Sequence, residues 1–309
     1  MTKPIACTEK NFHLMGGPAQ VRLIHPPSET PAAERLLDTI GHRMVEMEAK
    51  LSRYQPDSLV SQINRHAGSG RYTRIDTETR QLLETCRTLW QESDGLFDPT
   101  AGVLRQIWDF QSGSIGDPTG LSEVLALIGF EGVNLHHDGV MLEKSGMELD
   151  LGGIGKEYAA DVAASLIREA GFTQGLVDFA GDIVALGDNY SGAAWDIGIR
   201  DPSTPERALL TVALKDAAIA TSGGYFRTLK HGPNQVSHLL DPRTGWPVTG
   251  PSSVSVAARH CLIAGAVSTV ACLKPVDSAR EWLERSGLDW LMVSPEGEVT
   301  GPLLEQSRS

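Results

Sequence analysis

Apolar residues recur at three- and four-residue spacing in several stretches of the chain, and each stretch predicts a helix. Leu36, Leu37, Ile40, Met44, Met47 and Leu51 form one stripe over residues 34–51, the spacing of an amphipathic helix whose apolar face meets a core. Leu82, Leu83, Cys86, Leu89 and Trp90 repeat it over residues 77–93, and Asp94-Gly95 closes that segment with a turn signal. Shorter helices are predicted over 161–170 and 278–286, each followed by a glycine, Gly171 or Gly287, where a left-handed cap is wanted. Between the helices lie β-type runs at 19–24, 175–186, 194–199, 209–214, 217–220, 235–240, 253–258 and 290–293, many joined by Gly, Pro, Asn or Asp clusters. Helices and strands do not alternate as βαβ units. The pattern therefore predicts an α+β fold with largely antiparallel sheets packed by helices. No internal repeat or flexible linker divides it.

Composition narrows the function classes. The 309 residues carry 27 Lys+Arg against 39 Asp+Glu, a formal net charge of −12, with no concentrated basic run, so a nucleic-acid scaffold is not expected. Hydrophobic residues make up 41 %, enough to bury a sizeable core. No run approaches the roughly 18 consecutive apolar residues of a membrane span. Residues 1–10 contain Lys3 but no apolar segment before Cys7, so neither a secretory signal nor a lipid-modified cysteine is expected and a cytoplasmic location is. Cys7, Cys86, Cys261 and Cys272 lack metal-site or disulfide-framework spacing and read as ordinary thiols.

Four clusters combine glycine with ionisable residues. In the run from Asp150 to Tyr158, Gly152, Gly153 and Gly155 open a helix and Lys156 follows; backbone N–H groups there can approach an anion that a lysine neutralises. A tight loop with a surface lysine explains the run about as well. Asp94 to Gly102 places Asp98 and Thr100 around a Pro turn, which serves a ligand or simply caps the turn. In Asp178-Phe179-Ala180-Gly181-Asp182 a glycine inside a strand-like run suggests a bulge or a close ligand. Thr221 to Tyr225 and then Ser237 to Gly245 place His238 three residues before an Asp241-Pro242-Arg243 turn, a setting for acid/base or phosphate contact.

In this order the segments resemble the ApbE family, the FAD:protein FMN transferases. The resemblance rests on Met15-Gly16, Leu51-Ser52-Arg53-Tyr54 with Ser58 and Asn64, Phe97-Asp98-Pro99-Thr100, Asp150 to Lys156, Tyr158, Asp161, Gly181-Asp182, Thr221-Ser222-Gly223, His238 to Gly245, and Thr269. It implies one T-fold-like unit over residues 11–303 between short tails, 1–10 and 304–309. It implies FAD as substrate, cleaved with the help of a divalent cation, usually Mg²⁺. FMN is then joined through its phosphate to a Thr or Ser hydroxyl of an acceptor flavoprotein, and AMP leaves. Met15, Tyr54, Leu96, Phe97 and Asp98 would line the flavin cleft, Lys156 and Leu239 would contact the cofactor, and His238 would assist the hydroxyl attack.

The same resemblance implies a metal site made from a backbone oxygen near Gly153 and an Asp and a Thr four residues apart on a late helix. Thr269 is present, but Gly265 stands where the Asp is expected. Either another carboxylate, such as Asp182 or Asp150, rebuilds the site, or the protein binds flavin with weak or lost transfer. A plain FAD pyrophosphatase is a further alternative. On the sequence alone, Gly265→Asp is expected to leave flavin binding nearly intact and to raise metal-dependent turnover. Smaller departures are Gly17 after Met-Gly, where Thr is usual, Glu157 after the lysine, where glycine is common, and Ala180 before Gly181-Asp182.

Overall fold

Eight strands build the largest sheet, and their order across the sheet is their order along the chain. The computed structural model describes residues 4–224, 228–231 and 234–308. The strands are β1 (Ala6–Leu14), β2 (Gly17–His25), β3 (Gly175–Phe179), β4 (Asp182–Leu186), β5 (Ala217–Gly223), β6 (Ser253–Ala258), β7 (Asp289–Val293) and β8 (Val299–Thr300). Every neighbouring pair is antiparallel. Tight hairpins join β1 to β2 through Met15-Gly16 and β3 to β4 through Ala180-Gly181, and all four turn residues have positive φ. Helices lie in two of the longer connections, β2 to β3 and β6 to β7.

These helices are α1 (Thr30–Leu51), α2 (Leu59–Arg65), α3 (Thr77–Glu92), α4 (Leu121–Leu125), α5 (Gly155–Glu169), α6 (Cys261–Cys272) and α7 (Val276–Ser286). Helix α1 packs on β1 and β2, α5 on β3 and β4, and α6 on β5 and β6. They cover one face of the sheet over the main core, in which Leu37, Ile40, Met44 and Met47 of α1 meet Val21, Leu23, Val177 and Val184. The opposite face buries Ile24, Ala185, Ile219 and Leu291 against a three-stranded sheet of Trp195–Arg200, Ala208–Leu214 and Ser307–Arg308. A third, smaller core gathers Val103, Leu104, Ile107, Trp108 and Val124. No helix among the described residues is long and apolar enough to cross a membrane.

Several expected boundaries shift. The described part of the expected N-terminal tail is largely strand, because β1 starts at Ala6 and pairs along its full length with β2; its polar sequence, Ala-Cys-Thr-Glu-Lys-Asn-Phe-His-Leu, hides the alternation of half-buried and exposed positions. The expected C-terminal tail likewise ends in a pairing of Ser307 and Arg308 with Val212 and Thr211. The single run predicted at 175–186 is two strands, broken by the left-handed Ala180-Gly181 turn. Helix α5 begins at Gly155 rather than at 161. The strand expected at 235–240 ends at Ser237, which leaves His238 in a bend. Tyr225 lies outside the described residues.

Candidate functional site

The glycine loop is held from beneath by residues distant in sequence. Asn64 of α2 donates through Nδ2 to the Leu149 carbonyl (3.1 Å) and accepts from the Leu149 N–H (2.7 Å). The Asp150 N–H donates to Pro99 O at 2.8 Å, and the Asp150 carboxylate accepts from the Gly152 N–H (2.9 Å) while lying 3.1 Å from Nε of Arg53. Arg53 also donates to the Gly102 carbonyl (2.9 Å) and stacks over the Tyr54 ring. Asp150 thus shapes the loop. From this frame the loop enters α5, whose N-terminus has no side-chain cap, so the positive end of the helix dipole faces the loop.

Around the loop gather several of the residues predicted for flavin. Met15 and Lys156 line one small pocket with Leu14, Met44, Ala159 and Phe179. A Cβ on Gly155 would lie 3.9 Å from the Met15 sulfur, and one on Gly153 would lie 3.7 Å from the Phe97 ring. Leu96 and Phe97 are buried. Asp98 caps the turn that follows, accepting from the Thr100 N–H and hydroxyl and from the Phe130 N–H; burial outweighs these bonds and raises its pKa. Tyr54 is 61 % exposed and borders an open cleft of about 360 Å³ with Arg53, Asn64, Arg105, Asp109 and Gln111. His238 meets Phe110, the residue between those last two, ring edge to face at 6.2 Å. Leu239 packs against the main core. The neighbouring Arg243 is turned back on Asp241, donating through Nε (3.0 Å) and Nη2 (2.8 Å), and so stabilises its own turn.

Deeper in, α5 and α6 meet over a polar seam. Asp161 of α5 accepts from the N–H groups of Cys261 (2.8 Å) and Leu262 (3.0 Å), capping α6 from outside its own chain segment. Tyr158 donates to Glu78 at 3.1 Å, and Glu78 in turn pairs with Arg43 and Lys50. Thr269 lies 2.9 Å from the Ser222 hydroxyl, which also meets Ser268, and Ser268 donates to the Gly265 carbonyl.

At the centre of the seam stands Glu157, 7 % exposed, with Asp182 at 6 %. Burial raises the pKa of both carboxyls; in Asp182 the Glu157 charge adds to the rise, and Lys156 partly counters it in each. The Glu157 side chain occupies the space beside Gly265: a Cβ there would stand 2.5 Å from its Cγ and 2.8 Å from its Oε1. An aspartate at 265 would therefore require the Glu157 side chain to move. Asp182, offered by the sequence as a substitute ligand, does reach this seam. Glu157, noted in the sequence only as a departure from the usual glycine, is the buried carboxylate of this seam that sequence reasoning did not single out; its signal was that it and Gly265 both depart from the family pattern.

Comparison with known proteins follows the same residues. The sequence model of the ApbE family matches residues 15–292. An FAD:protein FMN transferase of Treponema pallidum is 32 % identical over 295 residues, covering 88 % of this chain and 81 % of that protein. One of Vibrio cholerae is 28 % identical, covering 86 % and 81 %. Among solved structures, the ApbE protein of Thermotoga maritima superposes with a TM-score of 0.88 at 27 % identity, covering 98 % of this chain and all of that one. The flavin transferase ApbE of Vibrio cholerae gives 0.85 at 24 % identity, covering 96 % and 97 %, and supports the fold.

Proposed function

The chain belongs to the ApbE family, and from that premise we propose that it is an FAD:protein FMN transferase. It takes FAD as substrate and attaches FMN to a Thr or Ser of an acceptor flavoprotein. The observation that carries the reading is the family match over residues 15–292 together with relatives of that activity matched over most of their length. The meeting of Met15, Lys156, Phe97 and the glycine loop at the uncapped end of α5 supports it.

In the proposed reaction the acceptor hydroxyl oxygen attacks the FMN phosphorus. The bond from that phosphorus to the bridging oxygen breaks, and AMP departs with the bridging oxygen. His238 takes the hydroxyl proton, a task suited to an imidazole near neutral pH. Lys156 and the α5 N-terminus bind the diphosphate and offset its charge. Met15, Tyr54, Leu96, Phe97, Asp98 and Leu239 hold the flavin end. A hard dication such as Mg²⁺ suits oxygen donors such as the Gly153 carbonyl of the glycine loop and, at the seam, Thr269 and the buried carboxylates, one oxygen of which lacks any hydrogen-bond partner. When bound, it would neutralise charge on the diphosphate. A cytoplasmic location, expected from the sequence, belongs to the same reading.

Incubation of the purified chain with FAD, Mg²⁺ and a peptide carrying a candidate Thr or Ser is expected to raise the peptide mass by FMN less water. His238→Asn is expected to abolish the adduct while FAD still quenches on binding. AMP release with no adduct on any acceptor would make the protein a pyrophosphatase instead.

A further inference from the structure

The seam between α5 and α6 holds a carboxylate that the rest of the protein does not satisfy. Glu157 is 93 % buried in effect, being 7 % exposed, and its Oε2 has no hydrogen-bond partner. An unpartnered buried polar oxygen is destabilising, the more so when charged. Asp182, equally buried, lies close enough for its charge to be felt. Two buried carboxylates with no ion pair to either among the described residues are costly as a purely structural arrangement, and the seam contains better ways to join two helices, as Asp161 demonstrates by using both its oxygens as a cap.

The space around Glu157 says what its free oxygen is for. Gly265 and Thr269 stand one turn apart on α6, so side chains at the two positions share a face. The Thr269 hydroxyl is tied to Ser222. At 265 there is no side chain, and Glu157, reaching over from α5, fills the volume where one would begin. The carboxylate thus lies within one side-chain length of where an aspartate at 265 would deliver its own.

We propose that Glu157 is a divalent-cation ligand of this site, supplied from α5 in place of a carboxylate at 265, with Gly265 retained to leave it room. Asp182 and Thr269 complete the oxygen set from β4 and α6. The inference rests on the transferase reading for the identity of the site but not for its test, which reads metal directly.

Mn²⁺ is titrated into the full chain by electron paramagnetic resonance, with and without FAD, and flavin fluorescence is followed in the same samples. Wild type is expected to bind one Mn²⁺, and Glu157→Gln, which keeps the side-chain volume, to bind it at least about tenfold more weakly. The double exchange Glu157→Gly with Gly265→Asp is expected to return affinity to within about threefold of wild type, since charge count and ion are unchanged. Glu157→Asp, which withdraws the carboxylate by one methylene, gives a second reading and is expected to weaken Mn²⁺ measurably. Unchanged affinity in Glu157→Gln or Glu157→Asp overturns the proposal, as does a wild type that binds FAD but no Mn²⁺. Failure of wild type to bind FAD would instead strike the transferase reading.

Discussion

A side chain at position 265 would start 2.5 Å from the Glu157 Cγ and 2.8 Å from its Oε1, so size and charge act there together. Adding atoms to a filled interior costs about 1–3 kcal/mol, and a second carboxylate facing Glu157 and Asp182 adds repulsion. Gly265→Asp alone is therefore expected to lower the thermal midpoint by several degrees and to give no gain in Mg²⁺-dependent transfer; a scanning-calorimetry trace that matches wild type would contradict this. A second pair behaves alike. A Cβ on Gly17 would stand 2.9 Å from that of Ala180, so the smaller residue faces the larger where the two hairpin turns meet. Each of these four departures was visible in the sequence as an isolated oddity. Their pairing was not, because periodicity relates neighbours on one element, whereas these contacts cross between elements that only the fold brings together.

At the scale of single elements, legibility followed amphipathicity. Helices α1 and α3 were readable because one face is apolar and the other wet. Helix α6, with eight of its twelve residues buried, is apolar nearly all round and gave no periodic signal, entering only through the family resemblance, while β1 failed for the opposite reason, too few apolar residues to mark its alternation. Ends were set by capping that crosses between elements, as with Asp161 on α6. Helix α3 is capped locally, by Asp76, which accepts from the Thr79 N–H at 2.8 Å. Partial burial opposes its ionisation, but Lys50 and Thr79 outweigh this and bring its pKa from 3.8 to about 2. A depressed carboxyl stabilises the fold above its unfolded pKa and loses that contribution as pH falls, here between about 4 and 2. Because the pair is largely solvent-screened, the contribution is about 1 kcal/mol or less. Asp76→Asn, which retains a capping oxygen, is expected to flatten this acid limb. Asp76→Ala should lose about 1 kcal/mol more at neutral pH through the missing cap. Chemical denaturation at pH 3 and 7 separates the two effects.

Across the whole molecule, the site draws on parts with different cores. The glycine loop, α5, α6 and Asp182 belong to the main core, whereas the segment after His238 is anchored to the small one. There Trp108, 2 % exposed, donates from Nε1 to the Gly245 carbonyl at 2.7 Å and meets Trp246 ring to ring. The Asp241 N–H reaches back to Trp246 O, and the Val248 N–H to Leu239 O. Trp108 thus anchors the segment that follows His238, and it does not line the pocket of Met15 and Lys156. Trp108→Phe removes the donor and leaves the Gly245 carbonyl buried without it, a loss of about 1–3 kcal/mol. If the small core sets the His238 geometry, kcat for FMN transfer should fall about tenfold or more, since catalysis is sensitive to small displacements of the reacting groups. FAD affinity, read by flavin quenching, should stay within about threefold, because the proposed diphosphate site is at α5. An equal loss in both would mean that the two cores yield together; an unchanged kcat would mean that the His238 bend holds its position through the main core alone, by way of Leu239.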